Sequence, residues 1–269
     1  MTLFNLLILA VVQGITEFLP ISSSAHLVLL HELGGPSAEA LALDVAVHLG
    51  SILAVVLYFR QDVAQALKGI APALRGRLES YEARLAFGLA VATLPALLLG
   101  ALLSITGWIE HLRNVTIIGW MMIVFGVLLY IAHRYAPEVR RAEEWSVRDA
   151  VLMGLWQAVA LVPGVSRSGI TMTAGRILGF DRHSAAKIAL LMSIPITLAT
   201  GAHIAMQLRN AELDTTTLLA NSLIGGAFAF IAAYVALATM MKLLRFVSFT
   251  PYVVYRVILG VVLLAIAYS

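Results

Sequence analysis

Three stretches without a single Asp, Glu, Lys or Arg constrain this chain most: Leu85 to Ile109, Ile188 to Leu208 and Thr215 to Met241. Each is as long as the roughly 20 apolar residues that carry an α-helix across a bilayer, so the chain reads as an all-α, multi-pass integral membrane protein. The composition agrees. Of its 269 residues, 61% are hydrophobic and 12% charged, against about 25% charged in soluble domains. A soluble globule, a disordered tail and a disulfide scaffold are excluded, and the lack of cysteine also excludes thiolate catalysis and Cys-ligated metals. The 18 basic residues give a net charge of +3. They are scattered over loops, where they act as topology signals, and no nucleic-acid partner is expected.

Apolar segments fall near residues 3–19, 41–59, 85–107, 115–133, 150–162, 184–204, 217–241 and 249–269. The first lacks a basic run before it and is followed by polar Gln13, Thr16 and Glu17, so a removable signal peptide is not expected. Arg60, Lys68, Arg75, Arg77 and Arg84 crowd one loop, Arg134, Arg140, Arg141 and Arg148 another, and Lys242 with Arg245 a third. By the positive-inside rule these are cytoplasmic, while the loops at 108–114 and 205–216, with Arg113 and Arg209 as their only basic residues, lie outside. The parity fails if every segment crosses, because Arg176, Arg182 and Lys187 after segment 150–162 again mark the cytoplasm. That segment must dip in and return. Residues 3–19 with 25–33 must likewise dip from the outside, since 31–40 hold no Lys or Arg. The expected architecture is six spans plus two re-entrant helical hairpins in one domain over 1–269.

The two hairpins resemble each other. Residues 13–26, QGITEFLPISSSAH, align without gaps on 157–170, QAVALVPGVSRSGI, pairing Gln13 with Gln157, Ser22 with Ser166 and Ser24 with Ser168; IVFGVLL at 123–129 resembles VILGVVL at 257–263. The chain is therefore read as an inverted-topology repeat, about 1–133 and 149–269. In such folds broken elements meet near the midplane and substrate sites form between the repeats, and non-helical backbone at that depth must be buried or line a cavity. The tips at 20–24 and 163–169 are expected to face each other.

Their residues suit an anion. Pro20 disfavours helix at Leu19, so Ser22, Ser23 and Ser24 should present hydroxyls and free N–H groups at a helix N-terminus. The second tip offers Ser166, Ser168 and Thr171 around Arg167, a forked donor matched to the oxygens of a phosphate. Gln13 and Glu17, at i and i+4, add hard oxygen ligands of the kind by which Mg²⁺ or Ca²⁺ bridges a diphosphate. Competing readings are hydroxyls that merely hold helices together and a structural Glu17–Arg167 ion pair. Asp44 and His48 could form a proton relay or a structural hydrogen bond, and Arg256 could snorkel, pair with an anion or bind substrate. His111, His133, His183 and the Met121–Met122 pair carry no assigned role.

The segments Gln13-x-x-x-Glu17-Phe18-Leu19-Pro20-Ile21-Ser22-Ser23-Ser24-Ala25-His26 and Pro163-Gly164-Val165-Ser166-Arg167-Ser168-Gly169 are similar to the two signature segments of the bacterial undecaprenyl-diphosphatase family, the bacitracin-resistance type. The resemblance extends along the chain, including His48-Leu49-Gly50-Ser51 and Ser248-Phe249-Thr250-Pro251-Tyr252. It implies a membrane phosphatase that converts undecaprenyl diphosphate to undecaprenyl phosphate plus inorganic phosphate, recycles the lipid carrier for cell-wall synthesis and confers bacitracin resistance, from the bacterial inner membrane with its site open to the outer side. It also implies that Gln13 and Glu17 bind the metal, Arg167 binds phosphate, and Ser23 and His26 are the nucleophile and acid/base pair. Gln13 stands where Glu is also common, and Ala25 where Gly is frequent. From the residues alone the nucleophile stays open between Ser23, His26 and water. Expected partners are the polyprenyl diphosphate and membrane lipids, with a homodimer left open, and a polyprenyl-phosphate transporter on the same repeats is the alternative reading.

Overall fold

The computed structural model describes residues 2–31, 38–107, 112, 114–208 and 215–268. His111, Arg113, Arg209 and most of the outer loop expected at 31–40 lie outside them. The described chain is α-helical, with one isolated bridge between Arg140 and Phe180. Six helices have the length and apolarity to cross a membrane: α3 (Ala38–Tyr58), α5 (Tyr81–Thr106), α6 (Val115–Tyr135), α9 (Arg182–Leu208), α10 (Thr215–Leu243) and α11 (Thr250–Tyr268). Four of the helices too short to do so are α1 (Leu3–Phe18), α2 (Ser23–His31), α7 (Val147–Val159) and α8 (Arg167–Ile177). They pair as two hairpins, α1 with α2 and α7 with α8, where the parity of the basic loops requires them.

One helix was not expected. Arg60–Leu74, α4, occupies part of the first basic loop. Its charges hide an amphipathic pattern: Val63 and Ala66 pack on the core, and Gly69 comes so close to α5 that a Cβ there would lie 1.8 Å from the Glu82 carbonyl oxygen. Pro72 sits in its last turn, and the chain leaves through Gly76 at φ +72°.

The hairpins are wedged between spans by small residues. α1 packs along α10 and α7 along α5, and a Cβ on Gly14 would meet the Ala229 carbonyl oxygen at 2.5 Å, one on Gly154 the Ala92 carbonyl oxygen at 2.7 Å. Such backbone approach is how helices gain contact in lipid, where burial of apolar surface offers no driving force. α3 also runs along α10, and α6 along α11.

The basic loops are tied by charge. Ser146 and Asp149 cap α7 reciprocally, and Arg140 grips both Asp149 carboxylate oxygens at 2.9 and 2.7 Å. Asp181, just beyond α8, pairs with Arg141 at 3.1 Å and accepts from the Ser184 hydroxyl and amide. Burial pushes the Asp181 carboxyl up, but those hydrogen bonds and the Arg141 charge outweigh it and hold the group below its usual range. Lys187 bridges Asp62 and Glu143 at 2.7 and 3.6 Å.

Candidate active site

The two tips touch. The Gly164 amide donates to Ser24 Oγ at 3.3 Å, and Ser168 Oγ donates to the Leu19 carbonyl at 2.9 Å. Each tip contains a serine at positive φ, Ser22 at 73° and Ser166 at 71°, the only non-glycine residues so placed among those described. That backbone costs on the order of 1–3 kcal/mol and persists only where its surroundings impose it. Here it turns the chain sharply enough to start α2 and α8 beside each other, with Ser166 Oγ accepting from the Gly169 amide at 3.2 Å.

A cavity of about 450 Å³ opens beside the joined tips, within the size range of small-ligand sites. Its polar wall is made by Glu17, Ser22, Ser23, Ser24, Ser166 and Arg167. Glu17 Oε1 is paired with Arg167 Nη2, while Glu17 Oε2 accepts from Ser23 Oγ and Gln13 Nε2, each at 2.8 Å. Arg167 Nη1 donates to Thr197 Oγ1 at 2.6 Å. The nucleophile candidate, the carboxylate and the guanidinium are thus one hydrogen-bonded unit. The Glu17–Arg167 ion pair is present, and it faces a cavity.

The remaining expected site residues stand behind this wall. Gln13 is fully buried; its Oε1 has no hydrogen-bond partner, and the same holds for Gln157 Oε1 in the other tip. Ser168 is spent on Leu19, and Thr171 bonds back to the Arg167 carbonyl at 2.7 Å within α8. His26 does not hydrogen-bond Ser23, although three residues along a helix can meet. Its Nδ1 donates to the Ser22 carbonyl at 2.8 Å, its Nε2 accepts from Tyr255 Oη at 2.6 Å, and the two rings stack. Ser23 instead turns toward Glu17.

His48, weighed with Asp44 as a relay or a structural hydrogen bond, reaches the cavity from α3, with Nδ1 donating to the Asp44 carbonyl at 2.7 Å and Nε2 3.7 Å from Glu17 Oε2. Two other lining residues escaped sequence reasoning. Thr197 and Thr200 come from α9, two hydroxyls just past Pro195, in a span whose proline was the available signal. Asp44 and Gln157 also line the cavity, and the remainder of its wall is apolar, including Leu41, Val45, Leu49, Leu161, Ile196 and Ile204. Among the described residues no group of three His, Cys, Asp or Glu side chains could hold a metal unaided. Glu17 with the unpartnered Gln13 oxygen fits a hard cation only if a ligand supplies further oxygens.

Comparison with known proteins adds to this geometry. The chain is 52% identical over 269 residues to an undecaprenyl-diphosphatase of Dinoroseobacter shibae, covering 100% of both chains. It is 42% identical over 267 residues to one of Alteromonas mediterranea and 40% over 264 to one of Teredinibacter turnerae, each time covering 98% of both. The model of the family described as bacitracin resistance protein BacA matches residues 6–262. That match runs through both hairpins, both tips and all six apolar helices, and the chain belongs to the BacA family.

Proposed function

We propose that this multi-pass membrane protein hydrolyses undecaprenyl diphosphate to undecaprenyl phosphate and inorganic phosphate, the reaction that recycles the lipid carrier and underlies bacitracin resistance. The observation that carries this reading is the single hydrogen-bonded unit of Ser23, Glu17 and Arg167 on a cavity wall where two helix N-termini meet. Arg167 and the N-terminal amides of α2 and α8 hold the terminal phosphate and stabilise charge on the transferring group. Apolar residues of α3 and α9 suit the prenyl chain.

Ser23 is the preferred nucleophile, because its Oγ already donates to a carboxylate at 2.8 Å. Its oxygen bonds to the terminal phosphorus as the anhydride P–O bond breaks, and its proton passes to Glu17. Water then attacks the phosphoserine; Ser23 Oγ leaves and recovers the proton from Glu17, while the water's proton departs with the phosphate. His26 serves as an acid/base only when its Nε2 is released by Tyr255. Mg²⁺ or Ca²⁺ would be held by Glu17 and Gln13 together with the diphosphate, and would neutralise phosphate charge. Every side chain named comes from one chain, so this chemistry calls for no second copy, and no observation favours the transporter alternative.

The inverted repeat is part of this proposal. Exchanging the halves would carry α1 on α10 into α7 on α5, a pairing the packing respects. In the inner membrane the site would open outward, since the lining residues of α3 and α9 lie in the halves nearer the outer loops. Cysteines at Glu79 and Glu143 should be labelled by impermeant reagents only from the cytoplasmic side, and one at Thr106 only from outside; labelling of all three from one side would remove this topology. The activity is tested with pure protein in detergent, following phosphate release from undecaprenyl diphosphate under chelator and after Mg²⁺ or Ca²⁺ is restored. An absence of metal-restorable release from folded protein would end the phosphatase reading.

A further inference from the structure

Arg256 is the cation that this chemistry leaves unused. It lies on α11, is 0% exposed, and has no carboxylate within ion-pair distance among the described residues. Its Nη2 donates to the carbonyls of Gly164 and Val165 at 3.0 and 2.9 Å, and to that of Met121 at 3.4 Å; its Nε donates to Met122 at 3.2 Å. Nη1 is buried without a partner. Two glycines make room for it. A Cβ on Gly126 would lie 3.3 Å from Arg256 Cβ, and one on Gly169 would lie 2.7 Å from Nη1. A charge so deep is costly to insert, which argues for a use beyond filling space.

The bonded carbonyls indicate that use. Gly164 has φ +91° and Ser166 φ +71°, so the peptides between them belong to no helix and their polar groups need partners in the interior. In a trans peptide the C=O and N–H point in opposite directions. Holding the Val165 carbonyl therefore turns the Ser166 amide away from Arg256, in a stretch where Ser166 and Arg167 line the cavity. The amides of Ser166, Arg167 and Ser168 have no recorded acceptor and form the open N-terminus of α8. Arg256 also sets an uncompensated positive charge directly behind them.

We infer that Arg256 is a positioning residue for the proposed phosphatase: it fixes the second tip so that the open amides of α8 meet the terminal phosphate, and its charge raises the anion affinity of that helix end. The inference rests on the proposed reading of the cavity as a diphosphate site. It differs from snorkelling and from substrate contact, since every recorded bond of this guanidinium ends on backbone carbonyls of the scaffold.

The test compares two buried arginines that both bind carbonyls. Arg176, also 0% exposed, bonds Pro137, Ala136 and Phe180 at the cytoplasmic end, with Glu138 at 3.4 Å. Arg256→Lys keeps a charge and loses the fork; it should lower kcat/KM for undecaprenyl diphosphate by roughly 10²-fold, the scale of a lost oxyanion donor, and weaken inhibition by inorganic phosphate about 10-fold or more. Arg176→Lys should lower the melting temperature to a similar degree and leave kcat/KM and phosphate inhibition within about twofold of wild type. Gly126→Ala, remote from the cavity, presses on Arg256 without altering any tip residue and should reproduce the phosphate effect in milder form, which keeps the test decisive if Arg256→Lys does not fold. Unchanged phosphate inhibition in folded Arg256→Lys, or in Gly126→Ala when that is the variant that folds, would overturn the positioning role. A wild-type protein that releases no phosphate would instead overturn the reading on which it rests.

Discussion

The two hairpin tips have nearly the same backbone and opposite chemistry. Both turn on a serine at positive φ, and both pair that serine with another two residues on, at 3.0 Å for Ser22 with Ser24 and 3.3 Å for Ser166 with Ser168. Both also bury a glutamine whose carbonyl oxygen lacks a partner. At the first helical position, however, one tip has the small hydroxyl of Ser23 and the other the guanidinium of Arg167. The carboxylate of Glu17 has Leu161 as its counterpart. Two helix ends with matching backbone meet at one point, and in the proposed reaction the differences at these positions would divide the labour between attack and charge stabilisation. On that proposal, symmetry would be kept where anion binding needs it and broken where the reaction is directional.

The largest effects should come from the positions where the tips differ most. Ser23→Ala should lower turnover by at least about 10⁴-fold, as loss of a nucleophile from a concerted unit does. Arg167→Ala should cost about 10²–10³-fold through lost charge stabilisation. His26→Ala, held off the wall by Tyr255, should cost less than Ser23→Ala, roughly 10²-fold. Steady-state kinetics on folded variants decide the order, and near-normal turnover in Ser23→Ala would move attack to His26 or to water.

A smaller contrast tests the glutamines. Gln13→Glu should retain turnover and lower the Mg²⁺ or Ca²⁺ concentration needed for half activity several-fold, because a second carboxylate strengthens a hard-cation site. Gln157→Glu, at the matched position beside Ala92, where its Nε2 donates to a carbonyl at 3.1 Å, should leave that concentration unchanged. Equal responses would show that the tips share metal binding.

The smallest effect concerns the mouth of the second hairpin. Asp181 has a lowered folded-state pKa, so its contribution is present above its ordinary value near 3.9 and is lost as pH falls through the folded value. Wild-type melting temperature should therefore drop additionally below about pH 4, and the curve for Asp181→Asn should lack that step. Identical curves would assign the stability of this mouth to Arg140 and Asp149.

Much of this architecture was legible because membrane insertion writes it in charge. Stretches without ionisable residues gave the spans, and the parity of basic loops called for two hairpins that α1–α2 and α7–α8 supply. The serine and arginine tips were also readable, since unusual backbone and polar groups at depth need a reason. What stayed hidden depends on rotation about helix axes. Nothing in the spacing of Ser23 and His26 reveals that one faces Glu17 and the other Tyr255. Thr197 and Thr200 reach the site from a span distant in sequence, and α4 was masked by charges on its solvent face.

The seat of the first hairpin between α10 and the second tip also sets the order of assembly. α1 is synthesised first, yet the groove that receives Gly14 lies at Ala229 on the penultimate span. Until translation passes α8, Glu17 has no Arg167 to neutralise it, and until it reaches α10 the early hairpin cannot rest at its final depth. Its settling is a late, post-insertion event, paced by closure of a loop some two hundred residues long. A nascent chain stopped before α10 should therefore leave its N-terminal arm open to proteolysis, and damage to the last two spans should be felt first at the opposite end of the polypeptide.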